Sequence, residues 1–267
     1  MNSPIESMVP SRFGQTARRD LWWGQTLSVF VVLSAFATYA TWAAFQGKNY
    51  YWGPYLSPFY APEIWGESPN AWFGPKPLWW PHWMVWSPAL IILIFPLGFR
   101  LTCYYYRGAY YKSFWADPPS CTVGEPRHQY RGEASWPLVL QNIHRYFLYP
   151  ALLFIVFLSY EVWKALWFTN PADGRIVFGI GLGTLVLAIN VILLGGYTLG
   201  CHSLRHLVGG RIDRLSQAPF RRDAYRCASC FNRRHMPWAW ASLFWVAFAD
   251  LYVRMCAMGV WTDWRLF

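Results

Sequence analysis

The residues best equipped for chemistry are thiols and imidazoles gathered in a few short stretches. Cys201, His202 and His206 close the fourth long apolar stretch, and Cys227, Cys230 and His235 precede the fifth. On a helix, residues four apart lie about 40° from each other, so His202 and His206 can reach one ion. Cys227-Ala-Ser-Cys230 is a CxxC, a bite that suits one metal or one iron of a cluster. Two His and two Cys fit a tetrahedral zinc site. They equally fit a two-iron cluster of Rieske type, with imidazoles on one iron and thiolates on the other. Imidazole ligation raises such a cluster to about −150 to +300 mV. The first ligand set is therefore His202, His206, Cys227 and Cys230. His144, Cys201 and Cys121 form a second set, and Cys103 could also replace a member of the CxxC. The ordinary alternative is a fortuitous CxxC beside a histidine pair that meets a helix C-terminal dipole or lipid phosphates. Haem b is the other redox group to weigh, held between His144 and His202 or His206. No apolar stretch has histidine at its middle, so a second haem deep in the bilayer is not expected.

The elements that must hold these residues follow from composition. Hydrophobic residues make up 55% of the 267, charged ones 13%, and there are 19 Trp, 17 Tyr and 19 Phe. Soluble domains are about a quarter charged, so this chain needs a solvent other than water. A formal charge of +10 is reached through basic loops of a membrane protein, and no nucleic-acid partner is expected. Crossing the hydrocarbon core takes about 20 largely apolar residues. Five stretches qualify, at about 21–45, 84–106, 143–168, 176–207 and 237–260. The expected fold is an all-α integral membrane protein: a cytoplasmic arm over residues 1–20, then a five-helix domain over 21–267. The polar N-terminus is expected to be retained, because the apolar stretch after it is too long for a signal-peptide core.

Lys and Arg set the orientation. The arm carries Arg12, Arg18 and Arg19, the second-to-third loop four basic residues, and the fourth-to-fifth loop a run from Arg205 to Arg234. The opposite side has Lys48, Lys76, Arg175 and Arg265. The N-terminus is thus expected inside and the C-terminus outside, with most Cys and His near the cytoplasmic face. Only His82, His128 and Cys256 fall outside that group. Thiols at a reducing face are expected to stay unpaired. The external segment 46–83 reads as an aromatic belt, with Trp79, Trp80 and Trp83 as belt residues. Gly179 and Gly183 form a GxxxG that would bring the fourth helix close to a neighbour. Glu161 and Lys164 read as paired helix-end charges, Asn190 as an interhelical hydrogen bond, and Asp250 with Arg254 as either an ion pair or a proton route.

Four segments carry a resemblance: CYYYRGAYYKSFW (Cys103–Trp115), QNIHRYFLYPAL (Gln141–Leu152), GCHSLRHLVGG (Gly200–Gly210) and RCASCFNRRHMPWAW (Arg226–Trp240). They resemble the single-chain, five-helix membrane anchor of actinobacterial-type succinate dehydrogenases and fumarate reductases. The likeness runs from about Leu21 to the terminal WTDWRLF. It implies a bacterial plasma-membrane protein, not catalytic alone. It implies a flavoprotein partner with FAD and the dicarboxylate site, and an iron–sulfur subunit with further clusters docked on the cytoplasmic face. Electrons would pass to menaquinone or ubiquinone. Anchors of the wider family often hold one or two haems b within the helices; this chain departs from the two-haem pattern. His235, Arg234, Tyr104 and Trp238 are candidate quinone walls. The basic face could dock an acidic subunit or membrane lipids. Whether the complex forms a higher oligomer is left open. Two rivals remain: a metal-free structural anchor, and a membrane zinc protein. A transporter would place ligands near the midplane, and a zinc hydrolase would need a general base, yet no HExxH occurs.

Overall fold

The computed structural model describes residues 20, 21, 23–114, 136, 138–170, 173–210, 214 and 217–267. Nearly all of the N-terminal arm, together with Cys121 and His128, lies outside the described residues. The elements run α1 (Trp23–Gln46), β1 (Tyr51–Trp52), β2 (Tyr55–Leu56), α2 (Pro88–Ile92), α3 (Ile94–Leu101) and α4 (Tyr104–Phe114). A 3₁₀ turn (Leu138–Ile143) leads into α5 (His144–Lys164). Then come β3 (Trp167–Thr169), β4 (Ile176–Phe178), α6 (Leu182–Leu199), α7 (His202–Gly209), α8 (Pro219–Asn232) and α9 (His235–Ala257). Two compact units result. One comprises residues 1–35 and 101–143, the other residues 36–100 and 144–267.

Among the described residues, three helices are long and apolar enough to cross a membrane: α1, Val139–Lys164 and α6. α9 has 23 residues but carries Asp250 and Arg254 in its second half. The stretch expected as one span at 84–106 is divided. Pro88 opens α2 at the first helical position. Pro96 has no N–H to offer the Ile92 carbonyl, and the helix breaks again at Thr102–Cys103. The span expected at 176–207 is shorter still, because Ile176–Phe178 pairs with Trp167–Thr169 as an antiparallel ribbon. It ends at Leu199, where Gly200 and Cys201 turn the chain into α7.

α5 shows which solvent the larger unit is built for. Its buried stripe is His144, Leu148, Ala151, Phe154, Leu158 and Glu161. Its exposed stripe is Tyr146, Tyr149, Leu153, Val156, Tyr160 and Trp163. Both faces are apolar, which suits a helix with protein on one side and lipid on the other.

The aromatic segment after α1 departs from the belt expectation. Trp79 and Trp83 are exposed, but Trp80 is buried, as are Tyr50, Tyr55, Leu56, Phe59, Tyr60 and Ala61. Most of these residues pack on Ala43, Ala44, Ala89 and Leu158 as a folded cap. Burial and hydrogen bonding to Glu63 push the Tyr50 phenol above its usual range. The GxxxG glycines serve this cap and the chain terminus, not a second helix. A Cβ at Gly183 would collide with the Tyr55 ring, and one at Gly179 would meet Arg265 and the Phe267 carbonyl.

Polar groups of the spans are mostly satisfied at this end. Asp250 accepts from Tyr39 Oη at 2.6 Å and from Ser57 Oγ, and pairs with Arg254 at 3.4 Å. Arg254 Nη1 donates to the Lys48 carbonyl at 3.0 Å. Glu161 and Lys164 form an ion pair at 2.7 Å. Asn190 is buried, but its Oδ1 has no hydrogen-bond partner among the described residues, so the expected interhelical bond is not made there.

Candidate functional site

The other end of the larger unit holds a cluster of buried and half-buried donors drawn from four helices. The last turn of α3 holds Phe99 and Arg100, α5 begins with His144, the end of α6 supplies Tyr197 and the following corner Cys201, and α9 begins with His235. His144 and Cys201 are both buried, with Nε2 and Sγ 3.0 Å apart. The Phe99 ring lies flat on His144, centroids 4.5 Å apart, and its edge meets Tyr197 at 5.6 Å. Tyr197 in turn stacks on His235 at 5.0 Å with the rings 18° from parallel.

Arg100 ties the cluster together. Its Nη1 donates to the Ala239 carbonyl and its Nη2 to Ser242 Oγ, both at 3.0 Å, and its guanidinium carbon sits 4.6 Å from the Tyr197 ring centre. A cation placed over an aromatic face and bonded to a neighbouring helix is fixed in direction. Small residues permit this density: a Cβ on Gly98 would collide with the Phe147 ring, and one on Gly196 would come within 2.6 Å of the Trp238 ring.

α7 and α8 connect α6 to α9. Arg205 donates to Asn232 Oδ1 at 3.1 Å and Tyr225 Oη at 2.7 Å. Arg221 caps the end of α7 through the Val208 and Gly210 carbonyls at 2.8 and 2.7 Å. Arg226, Arg233, Arg234 and Phe220 are exposed. Burial lowers the His202 pKa, with the positive ends of His206 and Arg205 acting in the same direction.

The first ligand set does not assemble. His202 and His206 face each other with their Nε2 atoms 2.9 Å apart on exposed surface. Cys227 and Cys230 are also exposed, in the C-terminal half of α8, where the buried position is Ala228. The CxxC is thus a helical i,i+3 pair and not the ligand loop that its spacing suggested. Among the described residues no three His, Cys, Asp or Glu side chains converge closely enough to hold a metal ion. Of the second set, His144 and Cys201 meet each other, while Cys121 lies outside the described residues. Cys103 is buried, in the smaller unit.

The expected quinone walls also divide. His235 lies in the cluster and Trp238 packs against α6 at Gly196. Arg234 is exposed at the N-cap of α9. Tyr104 belongs to the smaller unit, donating to Asn142 Oδ1 at 3.3 Å. Sequence reasoning missed Arg100, Tyr197 and Ser242. Arg100 carried a usable signal: an arginine inside a stretch read as a membrane span is a functional candidate by default.

Residues 24–259 match the family model described as actinobacterial succinate dehydrogenase subunit SdhC. Among solved structures, the chain is similar to one in the Mycobacterium smegmatis Sdh1 complex in the apo form. The two are 41% identical over 99% of this chain and 97% of that one, with a TM-score of 0.85. No curated protein sequence matches significantly.

Proposed function

This chain belongs to the SdhC family of actinobacterial succinate dehydrogenase subunits, and from that premise we propose that it is the anchor at which the complex reduces quinone. It is a multi-pass subunit of a membrane-bound oxidoreductase complex. Its partners in this reading are the flavoprotein, with FAD, and the iron–sulfur subunit, docked where α7 and α8 lie. The exposed Arg226, Arg233 and Arg234 there suit an acidic partner or anionic lipid. Five crossings are assigned to α1, the α2–α3 stretch, α5, α6 and α9. The arginines between α6 and α9 argue for that end being cytoplasmic, with the N-terminus inside.

The observation that carries the quinone assignment is Arg100, aimed at Ser242 and Ala239 across the Tyr197 ring that stacks on His235. A quinone takes two electrons and two protons to become a quinol. Negative charge builds on its oxygens before the protons arrive, and a fixed guanidinium stabilises that charge. Tyr197 Oη and His235 are the groups able to donate hydrogen bonds, and protons, to the two oxygens.

His202, His206, Cys227 and Cys230 do not fit a [2Fe–2S] group, and no step is drawn through them. The pair that supports a Cys/His-ligated redox group is His144 with Cys201, a thiol and an imidazole in contact and shielded from solvent. Such a cluster would supply one-electron transfer at a potential raised by imidazole. Haem b is second, because His144 points its Nε2 at a thiol and not at another imidazole.

The test is kinetic, on the purified complex. Arg100→Leu should abolish succinate-to-quinone electron transfer while succinate still reduces a soluble dye. Retention of quinone reduction at the wild-type rate would remove the assignment.

A further inference from the structure

We propose that Asn190 is a quinone-binding residue, its amide hydrogen-bonding the ring oxygen remote from Arg100 in both redox states. The inference rests on the quinone reading above and gives that site its inner wall. Asn190 stands in the middle of α6 at 1% exposure, and its Oδ1 has no hydrogen-bond partner among the described residues. An unanswered amide oxygen is destabilising in an apolar bundle. Such a group calls for a bound partner or a functional role, and more so within a membrane helix.

Helix geometry sets that amide below the cluster. Asn190 and Tyr197 are seven residues apart, so they share one face of α6 within about 20° and stand about 10 Å apart along its axis. Helical side chains lean toward the helix N-terminus, which tilts the Tyr197 ring toward Asn190. α9 fixes the level from the other side. Trp245 Nε1 donates to the Val186 carbonyl at 2.9 Å, and Trp238 packs at Gly196. α6 and α9 therefore run antiparallel, and Asn190 falls level with the part of α9 between Trp238 and Trp245. Ser242 lies in that part, and Arg100 Nη2 donates to its hydroxyl at 3.0 Å. Ala239 and Ser242 are both small and fully buried, so α9 adds little bulk there.

The residue type suits both forms of the substrate. A quinone ring offers two carbonyl acceptors, whereas a quinol offers two hydroxyls that also donate. A guanidinium only donates, but an amide carries donors and an acceptor on one planar group, which rotation exchanges. Asn190 thus donates from Nδ2 to the quinone and accepts at Oδ1 from the quinol, with no change of charge. It gives up no proton; those come from the Tyr197 and His235 side, as assigned above. Val186 and Leu187 on the same helix are buried and apolar, the setting in which a few polar groups orient a ligand.

The experiment uses the intact purified complex, with decylubiquinone as acceptor and its quinol as product inhibitor. Asn190→Leu should raise the KM for the quinone and the inhibition constant of the quinol by about 5- to 30-fold each, with kcat changed far less. Succinate should still reduce a soluble dye at the wild-type rate. Asn190→Ala, which adds no bulk, should give the same two shifts. The melting midpoint of the quinone-free complex should not fall in Asn190→Leu, because the change removes an unanswered acceptor. A lower midpoint with wild-type KM would make the amide purely structural and overturn the inference. Wild-type KM and inhibition constants in both variants, with quinone reduction lost in Arg100→Leu, would give the amide to a bound water and overturn this inference alone. Quinone reduction surviving in Arg100→Leu would overturn the quinone reading, and this inference with it.

Discussion

Removing Asp250 should cost the anchor more stability than any other single change at its end of the bundle. The residue is fully buried, as is Arg254 at 1% exposure, and the two pair at 3.4 Å. Asp250→Ala strands three donors at once: the Tyr39 phenol, the Ser57 hydroxyl and the Arg254 guanidinium. Breaking a buried pair from one side costs about 3–5 kcal/mol. At roughly 2–4 °C per kcal/mol for a domain of this size, the melting midpoint should fall by about 6–20 °C. Arg254→Met should cost less, near the lower end, because Tyr39 and Ser57 still serve the carboxylate. In Asp250→Asn/Arg254→Met the buried charges vanish together, and the loss should fall short of the sum of the Asp250→Asn and Arg254→Met single losses by about 2 kcal/mol, the coupling of the pair. The assay is a thermal shift of the detergent-solubilised complex at one scan rate, with quinone reductase activity per assembled complex alongside. Unchanged melting in Asp250→Ala, or a double variant whose loss equals the sum of the two single losses, would refute the ion-pair reasoning. Loss of quinone reduction in Asp250→Asn with normal melting would instead make Asp250 a proton carrier.

Three further outcomes are expected. Gly196→Leu should drive a side chain into the Trp238 ring, only 2.6 Å from where a Cβ would stand, and cost about 1–3 kcal/mol by overpacking, read as a lower melting midpoint. Lys164→Met leaves the buried Glu161 carboxylate without its cation. The cost is about 1–3 kcal/mol, and a Glu161→Gln change in the same chain should restore most of it in the same assay. Cys227→Ser/Cys230→Ser should leave succinate-to-quinone activity intact, because both thiols are exposed on α8 and neither approaches His144 or Cys201 as a ligand group.

Much of the architecture was legible because apolar length is a direct physical signal. α1, α5 and α9 lie where runs of apolar residues placed them, and the cluster of His and Cys at one end follows from where those runs stop. What spacing could not convey was direction within a helix. Cys227 and Cys230 keep a ligand-like interval whether they sit in a loop or on the outer face of α8, and only the packing of Ala228 tells which. His144 and Cys201 are separated by 57 residues, so nothing local announces that they meet. The second span reads as one helix over 84–106 because its apolar length outweighs Pro88 and Pro96, which stand where it divides. The proposed quinone site, by contrast, rests on Arg100, a residue of that stretch that joins α3 to α9. The segment 46–83 looked like an interfacial belt because tryptophan and tyrosine serve lipid headgroups and buried cores equally well. Glu63, fully buried beneath Tyr50 and Ser68, is what separates the folded cap from a belt.

The most direct test of quinone reduction at the Arg100 cluster is to crosslink a photoactivatable quinone analogue to the intact complex and map the labelled peptide. Label is expected at Tyr197, His235 or Trp238, lost in excess unlabelled quinone and in Arg100→Leu. Label confined to the segment around Trp79 and Trp83, at the opposite end of the helices, would contradict it.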